Sequence, residues 1–173
     1  MKTAQMLALA ILLGSIPFNR IVPAKAMRGM LVPTLNVIKG FIPVYLAVRS
    51  PDSYVLIALV GALAMLSHSF PYWLMFKYNG NAVGVSLGVL IGLNIPAGVF
   101  VLAIYGVSLL AFNRLSLAAI ISGISAPVML KVLGAPTAYI WFGIAGCAYM
   151  ITSHANSITH LMDGTEPWFR TRG

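Results

Sequence analysis

Acidic side chains are almost missing from this chain. Three Asp and Glu stand against eleven Lys and Arg, and all charged residues together make up 8% of the sequence. A soluble domain carries about 25%, so the chain cannot cover a water-facing surface, and a soluble enzyme or a disordered segment is excluded. The net charge of +8 does not point to nucleic acid, because the basic residues are dispersed and no run tracks a phosphate backbone. Cysteine is nearly absent as well. The single Cys147 excludes an internal disulfide framework and a thiolate metal cluster, and in its apolar run it reads as a small buried hydrophobe. No Asp or Glu falls inside an apolar segment, which counts against a proton pump or proton-coupled carrier, since those place such a group at membrane depth.

What the chain has in excess is apolar residues, 60% of the total, together with sixteen glycines. The class this leaves is a polytopic α-helical membrane protein. Seven segments are predicted: Ala4 to Val22, Val37 to Val48, Tyr54 to Phe76, Val83 to Leu93, Ile95 to Phe112, Leu117 to Leu133 and Ala138 to Ser153. The second (37–48) and fourth (83–93) are shorter than the roughly 17 residues a crossing needs. They extend into their flanks, tilt, or pack as partial spans within the bundle. Breaks fall at Ser50-Pro51-Asp52-Ser53, Tyr78-Asn79-Gly80-Asn81, Leu93-Asn94-Ile95-Pro96, Asn113-Arg114 and Gly134-Ala135-Pro136-Thr137. Ala24-Lys25-Ala26 has the look of a signal-peptide cleavage site, but the first segment is read as a retained membrane helix. Residues 1–153 form one transmembrane domain and 154–173 a short polar tail, where Trp168 and Phe169 beside Arg170 are expected to anchor at the interface.

With seven spans, Arg20, Lys25, Arg28, Lys39, Lys77, Arg114, Arg170 and Arg172 fall on one side, and Lys2, Arg49 and Lys131 on the other. The richer side is predicted to be cytoplasmic. That places the N-terminus outside and the C-terminus inside a cell (inner) membrane of bacterial type.

Gly80, Gly84, Gly88 and Gly92 repeat every four residues, and Ala118, Ser122 and Ala126 repeat the pattern later. Such stripes let helix backbones approach closely, so both are read as packing seams, with a groove for an acyl chain as the sharper alternative. Four polar residues are candidates for chemistry. His68 lies in Leu66-Ser67-His68-Ser69-Phe70-Pro71-Tyr72 and Lys77 follows at the membrane edge; His154 and His160 lie near the C-terminus. The last two are six residues apart and lack the i,i+3 or i,i+4 spacing of a helical metal pair. No metal and no cofactor is expected, and membrane lipid is the expected partner.

The order of short motifs resembles the acyl-phosphate-dependent glycerol-3-phosphate acyltransferases of bacteria, the PlsY family. The residues that carry the resemblance are Leu12-Leu13-Gly14-Ser15-Ile16-Pro17-Phe18, Lys39-Gly40-Phe41-Ile42-Pro43, and Ser67-His68-Ser69-Phe70-Pro71 followed by Phe76-Lys77. Ser116-Leu117-Ala118-Ala119-Ile120 and His154 through Glu166 complete the set. The resemblance implies a seven-helix bundle whose active site faces the cytoplasm and passes a fatty acyl group from acyl phosphate to glycerol 3-phosphate. His68, Lys77, His154 and His160 would then form the phosphate-binding face.

The departures fall on charged positions. Thr34 and Asn36 are the only echoes of the family's first catalytic loop. Asparagine or glycine stands where a second lysine is expected after Lys77, and His154-Ala155-Asn156-Ser157-Ile158-Thr159-His160-Leu161 lacks two arginines and a glutamate. Arginine offers phosphate a planar fork that neutral residues do not. On that ground the leading expectation is a catalytically degenerate family member, a pseudoenzyme serving as a structural or lipid-binding subunit of a larger complex with other integral membrane subunits. The alternative is an active acyltransferase of phospholipid biosynthesis, and a small-solute channel or carrier ranks third.

Overall fold

The computed structural model describes residues 3–22, 25–50, 53–75, 77 and 82–163. The helices are α1 (Thr3–Gly14), α2 (Phe18–Ile21), α3 (Lys25–Val48), α4 (Tyr54–Ser69), α5 (Val83–Leu93), α6 (Ile95–Phe112), α7 (Leu115–Val132), α8 (Thr137–Ser153) and α9 (Ala155–Met162). No strand occurs among the described residues. Large apolar side chains such as Leu110, Val107, Val132 and Trp141 lie on the outside, as expected where the solvent is lipid rather than water. This is an all-α, multi-pass integral membrane protein.

The helix ends follow from local chemistry. Asn94 starts α6 by accepting the Ala97 N–H at 2.9 Å, with Pro96 in the first turn. Asn113, at φ 54°, closes the same helix in the left-handed conformation that asparagine tolerates. Ser53 caps α4 by accepting the Leu56 N–H.

Three predicted segments change. The first breaks at Gly14, and Pro17 leads into the separate turn α2. Gly14 is needed there because a Cβ would lie 2.7 Å from the Ala64 carbonyl oxygen of α4. The third stops at Ser69 rather than Phe76, because Phe70 precedes Pro71 and leaves the helical region. The second is not short: α3 has 24 residues and carries Pro33 and Pro43 in its interior. The stretch before Val37, which the prediction left outside any segment, is helical from Lys25, so Thr34 and Asn36 lie on a helix and Lys39 sits in its middle rather than near its start.

The fourth segment is short as expected. The 11 residues of α5 span about 16 Å at 1.5 Å per residue, roughly half a hydrocarbon core. It is tolerated because it is enclosed: Val85, Leu87, Gly88, Val89, Leu90 and Leu93 are all buried, against α3, α4, α6 and α8. The glycine stripe makes this possible. A Cβ on Gly88 would sit 2.8 Å from the Val37 carbonyl carbon and 2.9 Å from the Phe41 nitrogen, and one on Gly92 would sit 3.0 Å from Val44. Gly84 meets Asn36 and Pro33 in the same way, while Gly40 of α3 presses on Val85 from the other side. Gly84, Gly88 and Gly92 thus form a seam with α3 with no space for an acyl chain. Gly80 lies outside the described residues, as do Trp168, Phe169 and Arg170 of the expected anchor.

Pairwise contacts give the directions. Gly14 meets Ala64 and Ser67, Gly84 meets Asn36, Gly98 meets Ile91, Gly143 meets Pro127, and Gly123 meets Met150. The long helices α1, α3, α4, α5, α6, α7 and α8 therefore alternate up and down. The C-terminal ends of α1, α4, α6 and α8 share one face of the bundle with the N-terminal ends of α5 and α7.

Candidate active site

That shared face collects the polar side chains. Lys39 is 2% exposed, and its ammonium reaches across from α3 to the end of α1. Its Nζ donates to the Gly14 carbonyl at 3.1 Å and the Ile16 carbonyl at 2.7 Å. It lies 2.9 Å from Nδ1 of His68, near the end of α4, and 5.4 Å from the centroid of the Phe18 ring. The carbonyls at a helix C-terminus form the negative end of its dipole, which is why a cation is stable at this buried point.

His68 is buried in this cluster, and the adjacent Ser69 is fully buried. Ser69 Oγ accepts a hydrogen bond from the Tyr149 hydroxyl of α8, so the ends of α4 and α8 lie at one level. One turn beyond Tyr149 is His154, 3% exposed. Its Nδ1 lies 2.9 Å from the Met150 carbonyl oxygen. Only an N–H can bond to that acceptor, so Nδ1 carries a hydrogen and Nε2 is the basic nitrogen of the neutral ring.

The four sequence candidates therefore divide. His68 and His154 are buried at the same face, whereas Lys77 and His160 are exposed. Lys39, which stands in the Lys39-Gly40-Phe41-Ile42-Pro43 motif and was counted with the charges of one side, was not among the four candidates for chemistry. The available signal was its position inside the apolar stretch Leu31–Val48, since a cation within a span is a site candidate by default. Asn36, read from the sequence only as an echo of the first catalytic loop, holds a buried Oδ1 with no hydrogen-bond partner among the described residues, where α3 meets Gly84 next to the start of α5. The second small-residue stripe has a different setting from the first. Ser122 and Ala126 line an apolar gap between α7, α8 and α5 that Phe142, Gly146 and Cys147 also border, while Ala118 is buried without lining it. A second cavity, of about 170 Å³, opens between α4 and α8 beside Met65, Leu66, Phe142, Gly146 and Tyr149. The two cavities share Met65, Phe142 and Gly146. No group of three metal-ligating side chains occurs among the described residues.

The glycerol-3-phosphate acyltransferase family model matches residues 19–164. The chain belongs to the glycerol-3-phosphate acyltransferase family. Proteins of that name are its relatives in Gloeobacter violaceus (34% identical, 76% of this chain and 66% of the relative) and Synechococcus sp. strain JA-3-3Ab (36% identical, 80% and 68%). The relative in Trichormus variabilis is 37% identical over 65% of this chain and 49% of its own length. The matched stretch thus spans about half to two thirds of these relatives.

Two crystal structures of PlsY (YgiH), an integral membrane glycerol 3-phosphate acyltransferase, superpose with a TM-score of 0.88, in a lysophosphatidic acid form and a glycerol 3-phosphate form. Their identities to this chain are 30% and 28%, and the match covers 98% of this chain and 96% of each.

These findings overturn the expectation of a degenerate structural subunit, and nothing in them points to a pseudoenzyme or a complex subunit. Beside the loop cations stands a lysine that the fold draws into the site from the middle of α3.

Proposed function

We propose that this glycerol-3-phosphate acyltransferase family member is an active enzyme of phospholipid synthesis that transfers an acyl group from acyl phosphate to glycerol 3-phosphate. The observation that carries the reading is the superposition, over almost the whole of both chains, on an enzyme held with glycerol 3-phosphate and with lysophosphatidic acid. The polar cluster at one face of the bundle supports it. In the reaction, a hydroxyl oxygen of glycerol 3-phosphate forms a bond to the acyl carbonyl carbon. The bond from that carbon to the phosphate oxygen breaks, and inorganic phosphate leaves with the electron pair. The hydroxyl proton passes to His154 Nε2 and then to the departing phosphate. Lys77, exposed ahead of α5, meets substrate phosphate as a point charge. The cavity between α4 and α8 holds part of the acyl chain, a position consistent with its apolar lining.

The basic face carries Arg20, Lys77 and Arg114, so we place it on the cytoplasmic side of the inner membrane, with the N-terminus outside. Membrane lipid is then both surroundings and product. The test is turnover by the purified protein in lipid with acyl phosphate and glycerol 3-phosphate. The expected result is lysophosphatidic acid and phosphate in equal amounts, lost on His154→Ala. Wild-type protein that releases neither product sinks the reading.

A further inference from the structure

We propose that Lys39 is a positioning residue that caps the end of α1 and holds His68 as the tautomer with its hydrogen on Nε2. The valence count around Nζ carries this. An ammonium has three N–H donors and no acceptor. Lys39 has three acceptors in reach: the carbonyls of Gly14 and Ile16, and the ring nitrogen Nδ1 of His68. All three donors are used, so Nδ1 receives a hydrogen bond, bears no hydrogen, and leaves the neutral ring its hydrogen on Nε2.

The opposite arrangement, a neutral amine accepting from an Nδ1–H, requires the proton to leave the stronger base. A free lysine is more basic than a free histidine by about four pK units, and the Gly14 and Ile16 carbonyls accept from the ammonium where it is buried. The described residues hold a single carboxylate, Asp163, which is exposed beyond α9. Among the described residues, carbonyl dipoles and the Phe18 ring are what face the Lys39 charge.

The two buried histidines then have opposite tautomers. His154 donates through Nδ1 to Met150 and is basic at Nε2. His68 accepts at Nδ1 and is a donor at Nε2. One ring can take a proton while the other can donate a hydrogen bond to a substrate oxygen, a division that Lys39 enforces because the hydrogen bond made at one ring nitrogen sets which nitrogen carries the hydrogen. The partners come from the end of α1, the turn after it and α4, so the same contact fixes the end of α1 on the bundle.

The effect on turnover rests on the acyltransferase reading; the tautomer does not. The experiment is ¹⁵N NMR of histidine-labelled protein in lipid nanodiscs, with the His68 signal assigned by its loss in His68→Asn, a change that keeps an acceptor for Lys39. Wild-type His68 is expected to show a bare, hydrogen-bonded Nδ1 and a protonated Nε2. Lys39→Met is expected to give mixed tautomers and to lower kcat on the order of a hundredfold, the scale on which misoriented site histidines fail, with KM within about threefold. Lys39→Arg, which retains N–H donors, keeps the Nε2–H form and decides the matter with the wild-type spectrum if the methionine variant does not fold. A hydrogen on Nδ1 in the wild type, or an unchanged tautomer in Lys39→Met, overturns the proposal. The expected tautomer in a protein that turns over no acyl phosphate would leave Lys39 as assigned and refute the enzymatic reading instead.

Discussion

Gly88→Ala tests whether the α3–α5 seam governs the stability of the bundle. The added Cβ would lie 2.8 Å from the Val37 carbonyl carbon and 2.9 Å from the Phe41 nitrogen. Both are backbone atoms, so no rotamer change relieves the clash, and the helices must part. Ordinary contact begins at 3.4 Å, so relief of the carbon contact alone needs 0.6 Å (3.4 minus 2.8), and the Val37 carbonyl oxygen, which lies closer still, needs more. A gap of that size forfeits about a quarter of each dispersion well, each well being worth about 0.1–0.2 kcal/mol. Loss at no more contacts than one buried leucine makes, roughly 40–60, already comes to about 1–3 kcal/mol.

Alanine opposes this loss through its better helix propensity, by about 1 kcal/mol. Gly106→Ala isolates that gain, because a Cβ there meets nothing within 4 Å. The quantity to measure is the difference in Tm between the two variants in one detergent. At about 2–4 °C per kcal/mol for a chain of this size, Gly88→Ala should melt on the order of 5 °C below Gly106→Ala. Equal melting, or a more stable Gly88→Ala, would refute the claim that these backbones touch through the glycine.

Other outcomes follow from single contacts. Asn94→Ala removes the acceptor of the Ala97 N–H and should cost about 1 kcal/mol, seen as a Tm lowered by a few degrees with kcat unchanged. Gly146→Leu should fold, since a Cβ there meets only Met65 Cε at 4.0 Å, and its side chain enters the α4–α8 cavity. If that cavity holds the acyl chain, two excluded methylenes at about 0.8 kcal/mol each raise KM for long acyl phosphates on the order of tenfold and spare short ones, whereas an equal effect on all lengths would count against it. Lys77→Ala should raise KM for glycerol 3-phosphate on the order of tenfold, the scale of one charged hydrogen bond; an unchanged KM would remove Lys77 from the phosphate site.

Membrane residence was legible from three acidic residues and a 60% apolar composition, because backbone and side chains in lipid must be satisfied without water. Apolar helices at the predicted segments were legible too, five of them long enough to cross a membrane, as were breaks such as Asn94-Ile95-Pro96, where capping chemistry is local. The order of short motifs carried the family. Helix ends were less legible where distant atoms decide them. Gly14 ends α1 under pressure from Ala64, fifty residues on.

The candidate site divides along the same line. His68 and His154 could be singled out from their motifs, but their protonation is set by Lys39 and Met150 at bonding distance. Lys39 meets Gly14 and His68 across separations of 25 and 29 residues, and no local pattern encodes such contacts. Composition determined the solvent and the class of fold, because hydropathy is a property of each segment by itself. Tertiary structure alone decided that a lysine counted with the charges of one side would be buried at the end of α1. A charge leaves water only where several acceptors converge, and here α1, the turn after it and α4 supply them.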